Sequence, residues 1–352
     1  MKARKHTNNI ERIRQGYTTR LDKTRLGMNE YVPTMPEELF RKIIGGFSAE
    51  IASAYPEVNQ AYDALAKFLS QPRDRILLMS GADMAVKTSL ETFCELGDSV
   101  STISPTFAMY GVYASLIGCK LEEKFCSNTG ECLEVDLLSL AKPGTKAVIL
   151  ANPNGVTGFV FPLNSIRRLV SKAEQQNILI IVDETYVDFG SISTAPLIEE
   201  FSNLIIIRSF SKNIGMAGLR IGYILGSEPL VSMIEKFKPM VEINSLAVQA
   251  IKVICSDEKY LTNATNQIVN TRKNFAETMR EMGFDCSERS GNFVLVDFGK
   301  NKESICQCLD KKKIEYKKLP APLQHYIRIT IGTDEIMSRV ISILKTASSN
   351  IT

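Results

Sequence analysis

Short apolar runs alternate with amphipathic stretches through the middle of the chain. This alternation is typical of strand and helix units that build a mostly parallel sheet. The run 178–182 is apolar without interruption, as expected of a strand covered on both faces. Apolar positions at helical spacing predict helices at 84–94 and 163–176. The predicted strands are 75–79, 99–103, 147–151, 178–183, 204–208 and 221–225.

The pattern changes in the last third of the chain. A long helical pattern runs from about 229 through 236 towards 255, and a second covers 260–282. Shorter apolar runs and one closing amphipathic stretch follow, and they predict a mixture of strands and helix. The predicted strands are 292–298, 313–316 and 326–331, and the predicted terminal helix is 334–345.

These elements predict an α/β fold with a mostly parallel central sheet sandwiched by helices and a smaller α+β C-terminal domain. We expect an N-terminal arm at 1–40, a large domain at 41–240 and a small domain at 241–352. No internal repeat or low-complexity linker separates them, so close packing of the two domains is expected.

Composition narrows the class of protein. The 352 residues are 44% hydrophobic, which suffices for a substantial core. The net charge of +3 gives no field strong enough to indicate nucleic acid or a membrane as partner, so small molecules are the expected substrates. The opening stretch 1–14 is polar and basic, and no segment approaches the roughly 20 apolar residues of a membrane span. These features predict a cytoplasmic protein.

Metal and histidine chemistry find little support in the sequence. The eight cysteines are scattered without the C-x-x-C pairs of a zinc site, and Cys306 and Cys308 form a lone C-x-C for which a reduced structural role is expected. With His6 and His325 as the only histidines, neither a histidine metal site nor a histidine-centred triad is expected. Another group must transfer protons.

The strongest chemical signal follows the apolar strand at 204–208. Ser209 and Ser211 precede Lys212, and Arg220 lies eight residues after that lysine. A lysine at a strand end with two hydroxyls and a cation nearby suits a site that holds a phosphate beside an imine-forming amine. The alternative is an exposed lysine on a surface turn.

This segment, with the elements below, resembles the fold-type I aminotransferases that depend on pyridoxal 5'-phosphate. It is most similar to their histidinol-phosphate aminotransferase branch and the related threonine-phosphate decarboxylases. The resemblance spans nearly the whole chain and implies that 41–240 is the cofactor-binding domain. It further implies that Lys212 forms a Schiff base with the cofactor, while Ser209, Ser211 and Arg220 bind its phosphate.

A carboxylate ends the buried strand at 178–183, where Asp183 is followed by Glu184, Thr185 and Tyr186. A carboxylate facing the pyridine nitrogen keeps that nitrogen protonated, so the ring can accept electrons. By resemblance Asp183 takes this role, and Tyr186 hydrogen-bonds the ring oxygen. The alternative is an aspartate that caps a following helix.

Two further turns match the family. Ala82 and Asp83 follow the strand at 75–79 and open a helix, where backbone amides bind phosphate. The resemblance assigns both residues to the phosphate cup and assigns Phe107 to stacking on the ring. Otherwise Phe107 is a core aromatic.

Residues near the two ends of the chain complete the pattern. By resemblance Tyr55 reaches the cofactor phosphate of a neighbouring subunit, which implies a homodimer. Arg328 clamps the substrate carboxylate, since a guanidinium offers two parallel donors. Asn29 would lie near that carboxylate. The alternative for Arg328 is an ion pair on an edge strand.

The sequence departs from the family at two places. The loop at 152–158 carries Gly155 where the family has a ring-binding asparagine, so Tyr186 alone, Asn154 or a water would bind the ring oxygen. Lys317 stands where the histidinol-phosphate enzymes carry an arginine. A lysine still binds phosphate, with Arg20 or Arg25 as helpers, so the substrate can differ from histidinol phosphate.

The leading hypothesis is transamination between glutamate, or a similar amino acid, and a small phosphorylated oxo-substrate in a biosynthetic pathway. Decarboxylation of a phosphorylated amino acid, of the threonine-phosphate or serine-phosphate type, is the alternative on the same scaffold. A catalytically inactive protein that binds the cofactor is a third hypothesis, suggested only by Gly155.

Overall fold

The structure is a computed structural model that describes residues 5–7, 10 and 20–349. The predicted arm at 1–40 and the polar opening stretch at 1–14 therefore lie partly outside the described residues. The boundaries predicted at 40/41 and 240/241 stay predictions.

A seven-stranded sheet forms the centre of the larger part of the molecule. Its order is β1-β7-β6-β5-β4-β2-β3, and every neighbouring pair is parallel except those that β7 makes with β1 and β6. This confirms the predicted α/β class with a mostly parallel sheet. The strands are β1 (Ile76–Met79), β2 (Ser99–Ser104), β3 (Lys120–Phe125), β4 (Thr145–Ala151), β5 (Leu179–Asp183), β6 (Leu204–Ser209) and β7 (Gly222–Gly226).

Helices cover both faces of this sheet, because successive residues of a strand point to opposite faces and both sets are apolar. Leu150, Val182 and Ile206 belong to one core, and Ile149 and Ile207 belong to the core on the opposite face. The helices of this part are α1 (Glu37–Gly45), α2 (Ala49–Ser53), α3 (Asn59–Leu69), α4 (Gly81–Phe93), α5 (Met109–Ile117), α6 (Glu134–Ser139), α7 (Leu163–Glu174), α8 (Glu228–Glu235) and α9 (Ser245–Cys255).

A smaller four-stranded antiparallel sheet follows, in the order β10-β11-β9-β8. It confirms the predicted smaller α+β part of the fold. Its strands are β8 (Asp285–Ser287), β9 (Phe293–Asp297), β10 (Lys317–Lys318) and β11 (Tyr326–Thr330), and its helices are α10 (Glu258–Glu281), α11 (Lys302–Lys311) and α12 (Asp334–Ser349).

Two predicted elements are wrong in detail. The pattern from 229 to 255 is two helices, because Pro239 cannot continue a helix and Asn244 caps α9 by accepting a hydrogen bond from the Ala247 amide. The predicted strand at 313–316 is an irregular segment with one bridge from Ile314 to Thr24, and the strand begins at Lys317.

The packing of α9 bears on where the two parts of the chain divide. Ala247 and Ile251 of α9 are buried in the core that includes Leu65 of α3, whereas Ile268 of α10 is buried against the small sheet. Leu261, in the first turn of α10, is buried in the same core as α9, so the packing changes from one core to the other within α10. Within the described part of the chain, none of the helices is both long and apolar enough to cross a membrane.

Short 3-10 helices connect these elements. They are Lys5–Thr7, Arg20–Asp22, Arg73–Arg75, Val187–Phe189, Ala195–Glu199, Ala217–Leu219 and Gly299–Asn301.

Candidate active site

Lys212 lies on the loop that leaves β6 at the C-terminal edge of the parallel strands. Its Nζ donates a hydrogen bond of 2.9 Å to the Met28 carbonyl oxygen. The loop is held by Ser209, whose Oγ accepts from the Ser211 amide at 3.1 Å and donates to the Ile221 carbonyl at 3.2 Å. The lysine amine therefore lies between the edge of the large sheet and the N-terminal segment that contains Met28.

Asp183 ends the neighbouring strand β5 and is 7% exposed. Its Oδ2 accepts from the Tyr110 hydroxyl at 2.6 Å, and its Oδ1 accepts from the Thr185 hydroxyl at 2.6 Å and the Thr185 amide at 3.0 Å. Burial raises the pKa of Asp183, and the donors on Thr185 and Tyr110 oppose that shift. Three donors on one buried carboxylate fix its orientation.

The start of α4 forms a cup against β7. Gly81 has φ +83°, and a Cβ there would lie 2.7 Å from Nη2 of Arg220, so the guanidinium covers the helix start. Gly222 allows the close approach, since its Cβ would lie 2.5 Å from the Ala82 amide nitrogen. A helix N-terminus beside an arginine is a site suited to an anion.

Two acidic residues border this cup. Oδ1 of Asp83 is buried without a hydrogen-bond partner, and so is Oε2 of Glu242. Oε1 of Glu242 accepts from the Ser80 amide at 3.2 Å. Asp83 therefore lies where it was predicted, in the first turn of α4, with an unused acceptor.

Asn29 connects the N-terminal segment to the site and is 1% exposed. Its Nδ2 donates to the Tyr186 hydroxyl and to the Gly155 carbonyl, both at 3.1 Å. A Cβ on Gly155 would lie 2.6 Å from Cε2 of Tyr186. The Tyr186 ring thus occupies the space that a side chain at position 155 would need.

Arg328 lies on β11 beside the same carbonyl. Its Nη1 donates to the Gly155 carbonyl at 2.8 Å and its Nη2 to the Gly27 carbonyl at 3.1 Å, while Nε is buried without a partner. The guanidinium carbon lies 5.3 Å from the centre of the Phe293 ring. Burial lowers the pKa of Arg328, and no carboxylate in the described part of the chain forms an ion pair with it.

Asn154 and Phe107 were both predicted to contact the cofactor, but the side chain of Asn154 is hydrogen-bonded within the protein whereas that of Phe107 is exposed. The Asn154 amide donates to the Pro105 carbonyl at 3.2 Å, and its oxygen accepts from the Val156 amide at 2.8 Å and the Thr157 amide at 3.0 Å. These bonds hold the loop, so the cofactor contact predicted for Asn154 finds no support in this geometry. Phe107 is 44% exposed, with one ring edge near Tyr110, and is not a core aromatic.

Lys317 adjoins this cluster through its strand partner Arg328, whereas Tyr55 has no hydrogen bond to the cluster. Lys317 is exposed, faces Arg328 across the β10 and β11 pairing, and lines a cavity of about 470 Å³ that also contacts Met28. Tyr55 is 82% exposed and touches none of the residues above in a hydrogen bond. Arg20, named as a helper for Lys317, is instead held by Glu30 at 2.9 Å and Glu315 at 3.0 Å.

Sequence reasoning missed several residues of this site. Thr185 had a usable signal, because a hydroxyl two residues after an aspartate commonly closes a local turn. Nothing in the sequence marks Tyr110 or the carbonyls of Gly27 and Met28, because only the fold brings them to Asp183, Arg328 and Lys212.

The sequence matches the model of the aminotransferase class I and II family over residues 22–344, so the chain belongs to that family. A histidinol-phosphate aminotransferase of Lactococcus lactis subsp. cremoris strain SK11 is 29% identical over 331 residues, which cover 92% of this chain and 91% of that protein.

Solved structures share the fold. Histidinol-phosphate aminotransferase from Sinorhizobium meliloti in complex with pyridoxal-5'-phosphate has a TM-score of 0.83 at 24% identity, covering 94% of this chain and 92% of that one. The Clostridium acetobutylicum histidinol-phosphate aminotransferase has a TM-score of 0.83 at 23% identity, covering 93% and 99%. The fold is that of the fold-type I aminotransferases.

Proposed function

We propose that this protein is a pyridoxal-phosphate-dependent aminotransferase that exchanges an amino group between glutamate, or a similar amino acid, and a small phosphorylated oxo-substrate. The observation that carries the proposal is that Lys212 follows the end of β6 while the fixed, buried carboxylate of Asp183 ends the adjacent strand β5. Family membership and the names of its relatives support transamination over decarboxylation or loss of activity.

The residues present fit the cofactor. The cup at the α4 N-terminus supplies backbone amides and the Arg220 guanidinium, with which no carboxylate of the described residues forms an ion pair, while Asp83 and Glu242 border it. Ser209, the strand partner of Gly222, and Ser211 would add hydroxyls. A phosphate group needs these donors. Ala82 and Asp83 belong to the same turn.

Asp183 and Phe107 would hold the ring of the cofactor. The carboxylate of Asp183 would face the ring nitrogen and hold a proton there, while Tyr110 and Thr185 keep it oriented. The exposed face of Phe107 would pack against the ring. When bound, pyridoxal phosphate withdraws electrons from the substrate Cα, which is the chemistry that the protein itself lacks.

The remaining roles follow from position. The Nζ of Lys212 would take the proton from the substrate Cα and return it to a carbon of the cofactor. It is the amine that lies beside the site. Tyr186 would donate to the ring oxygen, with its hydroxyl held by Asn29.

Arg328 is the proposed carboxylate clamp. Its Nε is buried and unpaired, and a buried cation without an acidic partner is costly unless a ligand supplies the negative charge. Asn29 lies beside it through the shared Gly155 carbonyl. Lys317, the β10 partner of Arg328, would bind the substrate phosphate.

A homodimer is part of the proposal. Tyr55 is a large aromatic that is 82% exposed, as expected of a side chain that completes the phosphate cup of a neighbouring subunit. A cytoplasmic location stays a prediction.

The first experiment compares Lys212→Ala with Lys236→Ala, an exposed lysine on the same domain. Each protein is loaded with cofactor, reduced with borohydride and digested. We expect the control to carry the cofactor mass on the peptide with Lys212, and the Lys212→Ala protein to carry none. Cofactor fixed equally in both proteins would contradict the assignment.

The second experiment separates the reactions. Labelled glutamate is incubated with the loaded protein and a panel of phosphorylated oxo-compounds, and label in a new amino product is expected. In a parallel incubation with phosphorylated amino acids, carbon dioxide released without an oxo product would support decarboxylation. Bound cofactor with neither reaction would support an inactive binder.

A further inference from the structure

Two cysteines outside the candidate active site flank a tight turn. Cys126 follows β3 and is 6% exposed, and Cys132 is half-buried just before α6. The turn between them is closed by the Ser127 amide, which donates to the Glu131 carbonyl at 2.7 Å, and by the Glu131 amide, which donates to Ser127 Oγ at 3.1 Å. Ser127 and Glu131 thus share one backbone hydrogen bond, and Cys126 and Cys132 lie one residue further out on either side of it.

That position sets the distance between the two backbones. Residues one step outside a hydrogen-bonded antiparallel pair have Cα atoms about 4.5 Å apart. A disulfide needs a Cα separation of roughly 4.4 to 6.8 Å. A turn closed by the Ser127–Glu131 bond is expected to bring Cys126 and Cys132 to a separation of about this size.

The electrostatic surroundings favour reaction. The neighbouring Cys132 thiol lowers the pKa of Cys126, burial opposes this, and the Arg289 cation adds to the lowering. Arg289 is fixed beside the turn because its Nη1 donates to the Gly130 carbonyl at 2.8 Å. A thiolate at Cys126 with a neighbouring thiol is the arrangement of a reversible dithiol.

Cys94 and Cys119 form a second neighbouring pair with the opposite environment. Burial raises the pKa of Cys94 to about 12, and the nearby Cys119 and Asp98 add to that rise. The Cys119 sulfur donates to the Glu95 carbonyl at 3.4 Å. Burial also raises the pKa of Cys119, which disfavours a thiolate at either residue, so this pair is an internal control within the same chain.

We propose that Cys126 and Cys132 form a redox-active dithiol that a peroxide converts into an intramolecular disulfide. The Cys126 thiolate attacks one peroxide oxygen, the oxygen–oxygen bond breaks, and Cys126 becomes a sulfenic acid as the other oxygen leaves as water after protonation. The Cys132 sulfur then attacks Cys126, and the hydroxyl leaves with the Cys132 proton as a second water. Two thiols are oxidised and one peroxide is reduced.

The site adjoins, but does not depend on, the proposed aminotransferase activity. The Cys126 amide donates to the Ser104 carbonyl at 2.8 Å, at the start of the loop that carries Phe107. Arg289 precedes Ser290, whose amide donates to the Gly158 carbonyl at 3.2 Å. The disulfide is expected whether or not the protein is a transaminase.

The test uses the full chain, reduced and then exposed to one equivalent of hydrogen peroxide. Thiols titrated after unfolding should fall from eight to six, and thiol reductant should restore them. Digestion should give one peptide cross-linked between Cys126 and Cys132. An unchanged thiol count, or a cross-link between Cys94 and Cys119 in its place, would overturn the proposal.

Serine variants separate the steps. Cys132→Ser should form no disulfide and should accumulate a sulfenic acid on Cys126, which a dimedone probe labels. Cys94→Ser should still lose two thiols. Equal peroxide-dependent loss of thiols in Cys132→Ser and the parent would show that Cys132 takes no part. Circular dichroism of Cys132→Ser establishes that it folds, and its half-buried position favours this.

Discussion

Replacing Gly155 with alanine tests the contact on which the arrangement of this site rests. The new Cβ would lie 2.6 Å from Cε2 and 3.2 Å from Cζ of Tyr186, far closer than carbon atoms normally approach. Gly155 is not among the residues with positive φ, so its backbone accepts alanine without strain. Overpacking costs about 1 to 3 kcal/mol. A tolerated glycine-to-alanine change recovers about 0.4 to 1 kcal/mol through the unfolded chain, so the net loss spans about 0 to 2.6 kcal/mol, and the mid-values give about 1.3 kcal/mol.

Urea unfolding of the cofactor-free protein measures this loss. Gly45→Ala is the matched control, because a Cβ there meets nothing within 4 Å and the residue ends α1 with an ordinary φ. The control should be neutral or slightly stabilising. On a Tyr186→Ala background the Gly155→Ala loss should shrink by about 1 kcal/mol or more, since contacting residues couple by that amount. Strictly additive effects would refute the reasoning.

Three further substitutions test the rest of the structure. Tyr110→Phe removes a donor to the buried Asp183 carboxylate, worth about 1.5 to 3 kcal/mol, so the pKa of Asp183 rises further above its ordinary value. The acid limb of cofactor retention should move to higher pH, and an unmoved limb would contradict the contact. Arg328→Lys loses the guanidinium that donates to the Gly155 and Gly27 carbonyls. Spectral titration of the cofactor-loaded protein should show that glutamate binds about 10- to 150-fold more weakly. Binding of an amine without a carboxylate should be unaffected. Ile206→Ala removes a fully buried side chain of β6 and should lower the free energy of unfolding by about 2 to 5 kcal/mol, and an unchanged urea midpoint would place Ile206 outside the core.

The fold was predictable where burial leaves a pattern in the sequence. β5 was found as an uninterrupted apolar run because helices cover both of its faces. β3 was missed because this edge strand carries charged residues and is largely exposed, so its positions show no apolar run. The break at 236–244 was missed because apolar residues on both sides of Pro239 hide the interruption.

In the candidate site, positions set by the local sequence were predictable, whereas contacts between distant residues were not. That Lys212 and Asp183 lie at the same edge of the sheet was predictable, because each lies at or just after the end of an apolar strand and parallel strands end at one edge. Their roles in binding a cofactor stay predictions. The contacts from Tyr110 to Asp183 and from Arg328 to Gly155 join residues 73 and 173 positions apart, and nothing local marks them.

Gly155 shows why the residue type alone misleads at this position. From the sequence it is a missing side chain that costs one hydrogen bond. In the structure its carbonyl oxygen accepts from both Asn29 and Arg328, and the Tyr186 ring fills the space beside its Cα. Asn29 in turn donates to the Tyr186 hydroxyl, so the polar link between ring and loop is made from the N-terminal segment. An asparagine side chain at position 155 would therefore have to displace the Tyr186 ring before it could bind a ligand. Such a change would disturb the contact between Tyr186 and Asn29 as well as add an amide.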